Sequence, residues 1–479
     1  MFPYDQLAAP KKALTVNKLI LFLSLLCVTF ILVSISLSCT NTFDHPVWSR
    51  SLYDPSSFSA TSLDHLVFGI ASNTEFWPKR KEYVQLWWQP EYKGCVFLEQ
   101  PPPLEKDNTT NSDLVFLPPV CISEETSQFR YTYKGGLPSA IRVARVVSET
   151  IALNYSNVRW FVFGDDDTVF IPHNLVKTLS KYDHNKWYYI GCNSETWEQN
   201  DWFSHNMAFG GGGFAISYPL AKVFANNFDS CLMRYPHLYG SDARISSCLA
   251  ELGVAVTHEP GFHQFDVRGD IFGLLTAHPI QPLVSLHHLD YVNPIFPNMT
   301  TNQALKHLFR AVNLDPGRIL QRSVCYDPWY RWTILISWGY AIQVLDHNVL
   351  LPDLLPVQQT FKPWSKWGTM YSNLYMFNVK KLPKDPCERP TAFFLENITT
   401  TSSGGVWSSY KTSVSKSCLH NRSLLKKLQH IMVFTQSHDL DFKKAPRRQC
   451  CDVLQSSVLE RLDISIRHCG EEELVFMKS

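Results

Sequence analysis

Residues 160–167 read WFVFGDDD, an uninterrupted apolar run that leads directly into three carboxylates. Apolar runs of this length are typical of parallel strands that are covered on both faces of a sheet. Comparable runs lie at residues 66–71 (LVFGIA) and 94–98 (GCVFL). Apolar residues spaced three and four apart between residues 138 and 155 predict an amphipathic helix before the acidic strand. The alternation of strands and helices favours an α/β fold with a mostly parallel sheet and helices on both faces.

The same pattern continues to about residue 295. Further segments predict strands or helices at 186–192, 214–217, 219–226, 241–252 and 254–256. Beyond Pro294 the character changes, because residues 328–345 alternate aromatic and polar side chains and the tail is dense in cysteine. We therefore predict an α/β domain at 63–295 and a smaller, Cys-rich and β-rich region at 296–479.

The overall composition excludes several classes of protein. Of 479 residues, 45% are hydrophobic and 18% are charged, which is too apolar for a disordered chain. Lys and Arg total 44 against 43 Asp and Glu, giving a net charge of +1. Such a balance lacks the basic surface that nucleic-acid-binding proteins need. Aromatic residues make up 13% of the chain, which suits a packed sheet and also suits the binding of carbohydrate faces.

A long apolar stretch near the amino terminus predicts a transmembrane anchor. Residues 19–37 carry no charge and follow a tail that contains three lysines. The stretch is long enough to span a bilayer as a helix. A cleaved signal peptide is the alternative, but its apolar core is usually shorter, about 7 to 15 residues. The positive-inside rule then predicts a cytosolic tail at 1–18, a single-pass type II orientation, and a stem at 38–62 on the lumenal side.

Glycosylation sequons and cysteines also indicate a secretory compartment. Asn-x-Ser/Thr sequons that could accept glycans occur at Asn108, Asn154, Asn298, Asn397 and Asn421. None of the 13 cysteines forms a C-x-x-C pair, so zinc ribbons and thioredoxin-type redox sites are poorly supported. Oxidised pairs are expected in this compartment, although the sequence does not determine which cysteines pair.

The three carboxylates Asp165, Asp166 and Asp167 are the leading candidates for a metal site. They follow a buried strand, and open α/β sheets bind ligands at the carboxyl ends of their strands. Adjacent carboxylates repel one another unless a cation lies between them, and their oxygens suit Mg²⁺ or Mn²⁺, which in turn suit a diphosphate. A solvated polar turn is the alternative interpretation. An EF-hand is excluded because the segment lacks the glycine and the closing glutamate of that loop.

Two further segments could complete an active site. The glycines at 210–213 would let the backbone approach a ligand that a Cβ atom would exclude, although a flexible hairpin would also use them. Their spacing matches neither a dinucleotide-binding loop nor a Walker loop. Asp242 lies at the predicted start of a helix, where the helix dipole favours the ionised carboxylate. It could accept a proton from a substrate hydroxyl, or it could simply cap the helix.

Several segments, in their order along the chain, together resemble the fringe-related branch of glycosyltransferase family 31. They are VFGIASNTEFWPKRKEYVQLWW (67–88), RWFVFGDDDTVF (159–170), FGGGGFAIS (209–217), YGSDARISSCLAELGV (239–254) and GFHQFDVRGDIFGLL (261–275). HPIQPLVSLHHLD (278–290) is similar to the segment that typifies the plant members of unknown function, which have a β-1,3-glycosyltransferase-like domain. The resemblance covers about residues 63–295. The rest of the chain resembles only the poorly characterised extension of those plant proteins.

The resemblance implies a GT-A type Rossmann-like fold and the transfer of a hexose or N-acetylhexosamine from a UDP-sugar. The acceptor would be a glycan or glycoprotein, the new linkage β-1,3, and the anomeric configuration inverted. Mn²⁺ or Mg²⁺ would be the cofactor. Together with the predicted anchor, the resemblance implies a Golgi membrane protein whose catalytic domain is lumenal, with the endoplasmic reticulum as the alternative.

The resemblance also implies roles for individual residues. Asp242 matches the catalytic base. The metal ligands would be Asp165, Asp167 and His263. The nucleotide-sugar site would be formed by Ala71, Ser72, Arg80, Asp165, Asp166, Gly211 and Gly212. Trp202 and Phe203 are candidates for a wall beside the donor and acceptor sugars.

Two other functions remain open from the sequence. A lumenal metal-dependent hydrolase could combine the three predicted metal ligands with His287 and His288 around two ions. A non-catalytic glycan-binding protein would keep the fold and rely on its aromatic side chains. His287, His288 and Asp290 could also form a second metal site, although a hydrogen-bonded structural corner is the preferred interpretation.

Overall fold

The computed structural model describes residues 24–33, 60–102, 116–366, 368–402, 404–413, 425–436, 447–454 and 460–477. The chain divides into two compact units, Met1–Ser59 and Ala60–Ser479. In the first unit the described part is a helix, α1, at 24–33, whose side chains are exposed. The other residues of the predicted anchor, the cytosolic tail and most of the stem lie outside the described residues. None of the described helices combines the length and the apolar character that crossing a membrane requires.

A seven-stranded, mostly parallel sheet forms the amino-terminal part of the second unit. The strands of this region are β1 (Leu66–Ala71), β2 (Lys93–Leu98), β3 (Val120–Ile122), β4 (Trp160–Asp165), β5 (Val169–Phe170), β6 (Tyr189–Gly191), β7 (Phe214–Ser217), β8 (Val256–His258), β9 (Val267–Gly269) and β10 (Ser285–Leu286). Seven of these strands form the sheet, in the order β3-β2-β1-β4-β7-β6-β8, and β7 alone runs antiparallel to its neighbours. β5 pairs with β10 outside this sheet. Every residue of β1 is buried, as its continuous apolar run predicts.

Helices cover both faces of this sheet. The helices that follow α1 are α2 (Trp77–Gln85), α3 (Ser139–Ala152), α4 (Pro172–Leu179), α5 (Trp197–Trp202), α6 (Tyr218–Leu232), α7 (Ser241–Glu251), α8 (Phe272–Leu275) and α9 (Thr301–Val312). A further helix, α10 (Leu351–Leu354), packs instead with Val324 and Leu335 of the carboxyl-terminal region. Successive strand residues point to opposite faces, so Val67 packs with α3, α6 and α7, whereas Phe68 packs in the cluster that includes α2, α4 and α9. The buried positions of α3 include Ile141 and Ala144, the apolar face that the sequence predicts.

A second, eight-stranded sheet is built from the carboxyl-terminal region. Its strands are β11 (Arg322–Tyr326), β12 (Thr333–Ser337), β13 (Ala341–Leu345), β17 (Thr391–Thr400), β18 (Gly405–Thr412), β19 (His430–Gln436), β20 (Cys450–Leu454) and β21 (Arg461–Arg467). Their order is β11-β12-β13-β17-β18-β19-β21-β20. All the pairs are antiparallel except β19 with β21. A disulfide between Cys325 and Cys451 joins β11 to β20, so the two edges of the sheet meet.

The two sheets share one hydrophobic core. A single cluster of buried side chains runs from Phe68 and Trp160 of the first sheet to Ile336 and Ile464 of the second. Residues 60–479 accordingly form one compact unit, and the core continues without a break across the boundary predicted near residue 295. The composition changes at this boundary, but the packing does not.

Three short strands lie between β13 and β17 in sequence, and one of them pairs with a strand of the amino-terminal part. They are β14 (Val357–Gln359), β15 (Phe361–Pro363) and β16 (Val379–Lys381). β15 pairs antiparallel with β9, opposite Arg268 and its neighbours, while β14 pairs with β16. The carboxyl-terminal region therefore contributes a strand, β15, that lies directly beside β9.

Candidate functional site

The acidic segment lies where β4 ends beside β1. The two strands pair in parallel, with Asp165 opposite Ala71. The chain then turns, because the N–H of Asp165 donates to Thr168 Oγ1 at 2.8 Å and the N–H of Asp166 donates to the carbonyl of Ala71 at 3.0 Å. Ser72 donates its hydroxyl proton to Asp166 Oδ2 at 2.5 Å. These residues therefore meet at the carboxyl edge of two neighbouring strands.

His287 is the imidazole that lies beside the carboxylates. Its Nε2 is 3.1 Å from Asp167 Oδ1 and 3.8 Å from Asp165 Oδ2. One ligand atom from each of the three residues lies within 4.8 Å of the other two. The other ring nitrogen, Nδ1, is 2.9 Å from Gln264 Oε1. A partner on the second nitrogen is typical of histidines that bind metals, so the donor set fits a divalent cation.

The pairing of two short strands explains why this histidine reaches the site. β10 pairs antiparallel with β5, so that Leu286 lies opposite Val169. The next residue after β10 is His287, and the residues before β5 lead back to Asp167. The register of one two-residue strand pair therefore brings the imidazole to the acidic segment.

His263, the histidine that the resemblance implies as a metal ligand, faces another way. Its Nδ1 is 2.6 Å from Glu195 Oε1, and its ring stacks on Phe265 with 5.2 Å between the centroids. It lines a cavity with Glu195 that is separate from the cavity beside Asp165. Alternate residues of an extended segment point to opposite sides, so Gln264 rather than His263 faces the carboxylates. The structure therefore brings His287, and not His263, together with Asp165 and Asp167.

Arg80 of α2 lies across three carboxylates. Its Nη1 is 3.0 Å from Asp166 Oδ1, its Nη2 is 3.3 Å from Asp167 Oδ2, and its Nε is 3.2 Å from Asp290 Oδ2. Tyr83, one helical turn later, donates a hydrogen bond to Asp290. Burial would raise the pKa of Asp167, but the positive charges nearby, including Arg80, outweigh burial and lower it. Arg80 thus holds the acidic segment in place from the side of α2.

Two further groups at the site have shifted pKa values. Burial raises the pKa of Asp165 to about 7, and although His287 opposes the shift, Asp167 reinforces it. Burial would lower the pKa of His287, but Asp167 and Asp165 outweigh burial and raise it to about 8. The Asp165 shift therefore comes mainly from burial, whereas the His287 shift comes from the two carboxylates beside it. A divalent cation bound between them would favour the ionised carboxylate and the neutral imidazole.

The glycine run lets two of these groups approach the backbone. Gly210–Gly212 form a 3₁₀ turn that leads into β7. A Cβ atom on Gly210 would lie 2.6 Å from Asp242 Oδ1, and a Cβ atom on Gly211 would overlap the ring of His287. Gly213 has a φ of 87°, a conformation that other residues rarely adopt. Close packing, rather than flexibility, therefore requires these glycines.

Asp242 shares a cavity with the acidic segment. Asp165, Ala71, Gly210 and Asp242 line this cavity together with apolar residues of α3 and α7. Ser241 donates its hydroxyl proton to Asp242 Oδ1 at 2.9 Å. Burial raises the pKa of Asp242, although hydrogen bonds from Gly210 and Ser241 oppose the shift. A carboxylate with a raised pKa is a stronger proton acceptor than one in water, so this residue suits a general base.

The predicted aromatic wall lies at the end of α5. Phe203 contacts Phe209 and Tyr239, with 6.1 Å and 5.7 Å between ring centroids. Those two residues flank the glycine run and Asp242 in sequence. Trp202 exposes 67% of its surface. Aromatic surface is therefore available close to the segments that carry Gly210 and Asp242.

The carboxyl-terminal region supports the site through Trp364. Its ring packs face to face on His288, with 4.8 Å between centroids and 7° between planes. His288 lies 2.9 Å from Asp266 through its Nδ1, and its ring centroid is 4.0 Å from that of His287. The Arg268 guanidinium lies 4.5 Å from the Trp364 ring. These contacts fix the histidine pair from the side opposite the carboxylates.

Three supporting residues, Gln264, Asp266 and Trp364, were not expected from the sequence. For the first two a signal was present, since alternation along the extended segment places them on the same side as each other and opposite to His263. For Trp364 no local signal exists, because its position depends on the pairing of β15 with β9.

The fit of the glycine run can be tested with two neighbouring substitutions. Gly211→Ala should lower the free energy of unfolding by about 1–3 kcal/mol, because the new methyl group overlaps the His287 ring. It should also weaken Mn²⁺ binding, measured by electron paramagnetic resonance, since the ring must move. Gly212→Ala is the matched control, because its nearest neighbours lie 3.4 Å from the new atom. Equal effects of the two substitutions would contradict this account.

One comparison places the chain in a family. A family model described as "Protein of unknown function, DUF604" matches residues 199–451, more than half of the chain. The matched region begins in α5 and includes the glycine run, Asp242, His287 and Trp364, and it continues into β20. It therefore spans parts of both sheets and the contacts between them. On this match, the chain belongs to the DUF604 family.

Proposed function

We propose that this chain is a metal-dependent, inverting glycosyltransferase that moves a hexose or N-acetylhexosamine from a UDP-sugar to a glycan or glycoprotein. The observation that carries the proposal is the meeting of Asp165, Asp167 and His287 at the end of β4, beside a cavity that also contains Asp242. A mostly parallel sheet with helices on both faces is compatible with a GT-A type fold. A β-1,3 linkage is proposed from the family resemblance alone.

The proposed cofactor is Mn²⁺ or Mg²⁺, held by Asp165, Asp167 and His287. Two carboxylates and one imidazole form a donor set of the kind these ions accept. A bound ion of this kind stabilises negative charge on a departing diphosphate. Gln264 keeps the His287 ring turned towards the carboxylates through its hydrogen bond to Nδ1.

The proposed nucleotide-sugar site surrounds this centre. Ser72 and Arg80 hold Asp166 through hydrogen bonds of 2.5 Å and 3.0 Å, so the middle carboxylate is fixed in orientation. Arg80 also supplies a permanent positive charge next to the space where a diphosphate would lie. Ala71, Gly211 and Gly212 belong to the proposed site on the family resemblance alone, because His287 and Gln264 fill the space next to the two glycines.

The proposed general base is Asp242. In a single-displacement transfer, a base removes the proton of the acceptor hydroxyl while the oxygen attacks the anomeric carbon from the side opposite the leaving group. This geometry inverts the anomeric configuration and gives a β-linked product from an α-linked donor. Ser241 and the Gly210 backbone orient the carboxylate, and the raised pKa favours proton transfer to it.

A two-ion hydrolase receives less support. Among the described residues, the other cluster with metal-ligand spacing is Cys450, Cys469 and Glu473. Its two cysteines form a disulfide with each other, so they offer no thiolate ligands. His288 faces Asp266 and Trp364 instead of a second group of carboxylates.

A lumenal, Golgi-membrane location with type II topology is part of the proposal. The sequons at Asn154, Asn298 and Asn397 are exposed, whereas Asn108 and Asn421 lie outside the described residues. Disulfides such as Cys95–Cys121 and Cys231–Cys248 suit an oxidising compartment.

The proposed orientation can be tested by protease protection. In sealed microsomes, the carboxyl-terminal part should resist added protease until detergent is present. Digestion without detergent would reverse the proposed orientation.

The roles of the two key carboxylates can be separated by substitution. Asp242→Asn should lower sugar transfer by about 10²- to 10⁴-fold and leave UDP affinity unchanged, because it removes only the proton acceptor. Asp167→Ala should abolish the Mn²⁺-dependent part of UDP binding, measured by calorimetry with and without EDTA. The wild-type chain is first screened with UDP-sugars for Mn²⁺-dependent donor hydrolysis. Near-normal turnover in Asp242→Asn would remove it from the base role.

The identity of the histidine ligand gives a second test. His287→Gln should weaken Mn²⁺ binding by about 10-fold or more, because it removes a proposed ligand. His263→Gln is the matched control, since this histidine is equally buried but bonded to Glu195. Thermal unfolding of both variants would show whether either effect comes from loss of structure. A stronger effect of His263→Gln on Mn²⁺ affinity would restore the original ligand set.

A further inference from the structure

The turn between β11 and β12 displays aromatic rings on a fixed loop. Asp327 is buried, its Oδ1 accepts the N–H of Trp329 at 2.9 Å, and its own N–H donates to the carbonyl of Trp332 at 2.9 Å. Trp329 and Tyr330 nevertheless expose 50% and 40% of their surfaces. Tyr330 stacks on Trp332 with 4.7 Å between centroids, so its outer face is held towards solvent. The loop is therefore ordered, yet two large rings on it remain uncovered.

A cavity of about 340 Å³ lies next to this loop. The loop residues Asp327, Pro328 and Arg331 form part of its wall. The other polar side chains in the wall are Asn348, Asp452 and Glu473. Asp327 is only 2% exposed, and its Oδ2 has no hydrogen-bond partner among the described residues. The wall of the cavity therefore contains a buried carboxylate oxygen whose hydrogen-bonding capacity is unused within the described part of the chain.

The cavity is braced on the opposite side. Cys325, Cys450 and Cys451 line it, and each belongs to a disulfide, Cys325–Cys451 or Cys450–Cys469. Arg467 forms ion pairs of 2.6 Å with both Asp452 and Glu473. These links hold the polar groups in place before any ligand arrives, which reduces the entropy lost on binding.

The chemistry of the wall selects a class of ligand. Arg467 pairs with both Asp452 and Glu473, and Arg331 adds a second positive charge to the wall, so positive and negative groups are mixed and no single ion is favoured. Planar amide, carboxylate and guanidinium groups can each bond two neighbouring hydroxyls. Exposed aromatic rings pack against the C–H faces of pyranose rings, and Phe476, 57% exposed, lines the cavity, while Trp329 and Tyr330 lie on the adjoining loop.

We propose that this cavity and loop form a carbohydrate-binding site for neutral oligosaccharides. None of its lining residues belongs to the cavity that contains Asp165 and Asp242. Binding here requires neither UDP nor a metal ion, so the inference does not depend on the transfer reaction. If the reaction is also present, the second site would retain a polymeric glycan on the protein.

The test uses the full-length chain in detergent, with EDTA present. Fluorescent hexasaccharides of β-1,3-glucan, β-1,4-glucan, β-1,4-xylan and β-1,3-galactan serve as probes, and fluorescence anisotropy measures affinity. At least one should bind, and Trp329→Ala should weaken binding by about tenfold or more. Trp329→Phe should retain most of the affinity, because it keeps an aromatic face. Trp187→Ala, which removes another tryptophan that is 44% exposed, is the matched control and should change nothing.

The outcomes separate this inference from the proposed function. Asp242→Asn should bind the hexasaccharides normally, and Trp329→Ala should hydrolyse the donor normally. Loss of hexasaccharide binding in Asp242→Asn would assign the sugar to the first cavity and overturn the inference. Absence of binding by all four probes, or equal losses in Trp329→Ala and Trp187→Ala, would also overturn it. Capture of an extended peptide in place of the sugars would assign the loop to a protein partner and contradict the proposal.

Discussion

Repulsion between carboxylates at one strand end is the constraint that organises this protein. Asp165 ends β4, Asp166 and Asp167 follow it without a spacer, and their charges must be opposed for the segment to stay folded. Arg80 approaches from α2 and His287 from the strand pair of β5 and β10. The absence of side chains at the glycine run makes room for the imidazole. The result is a cluster in which two carboxylates and one imidazole lie within 4.8 Å of one another.

Local patterns predicted the features that depend on local physics. The buried strands β1 and β4 follow from continuous apolar runs, because a doubly covered strand has no solvent face. The glycine run was expected to permit close approach, and it does, although the groups that approach are protein side chains. Asp242 was expected at the start of a helix, and α7 begins one residue earlier. In each case the relevant neighbours lie within a few residues or on the adjacent strand.

The sequence does not determine features that depend on distant parts of the chain. It offers both His263 and His287 as possible metal ligands, and of the two the structure places His287 beside Asp165 and Asp167. This placement depends on the direction of one extended segment and on a strand pair of two residues on each side, neither of which has a periodic signature. The boundary near residue 295 reflects a real change in composition. Composition alone does not reveal that β15 pairs with β9, or that one hydrophobic core contains residues of both sheets.

The stacking of Trp364 on His288 has a consequence for biosynthesis. The acidic strand, the histidine pair and the tryptophan leave the ribosome in that order, and the tryptophan is delivered by a strand from the later part of the chain. A nascent polypeptide that ends before β15 therefore lacks the ring that packs on His288. The histidine pair is thus expected to reach its final position after synthesis, once the carboxyl-terminal region has docked.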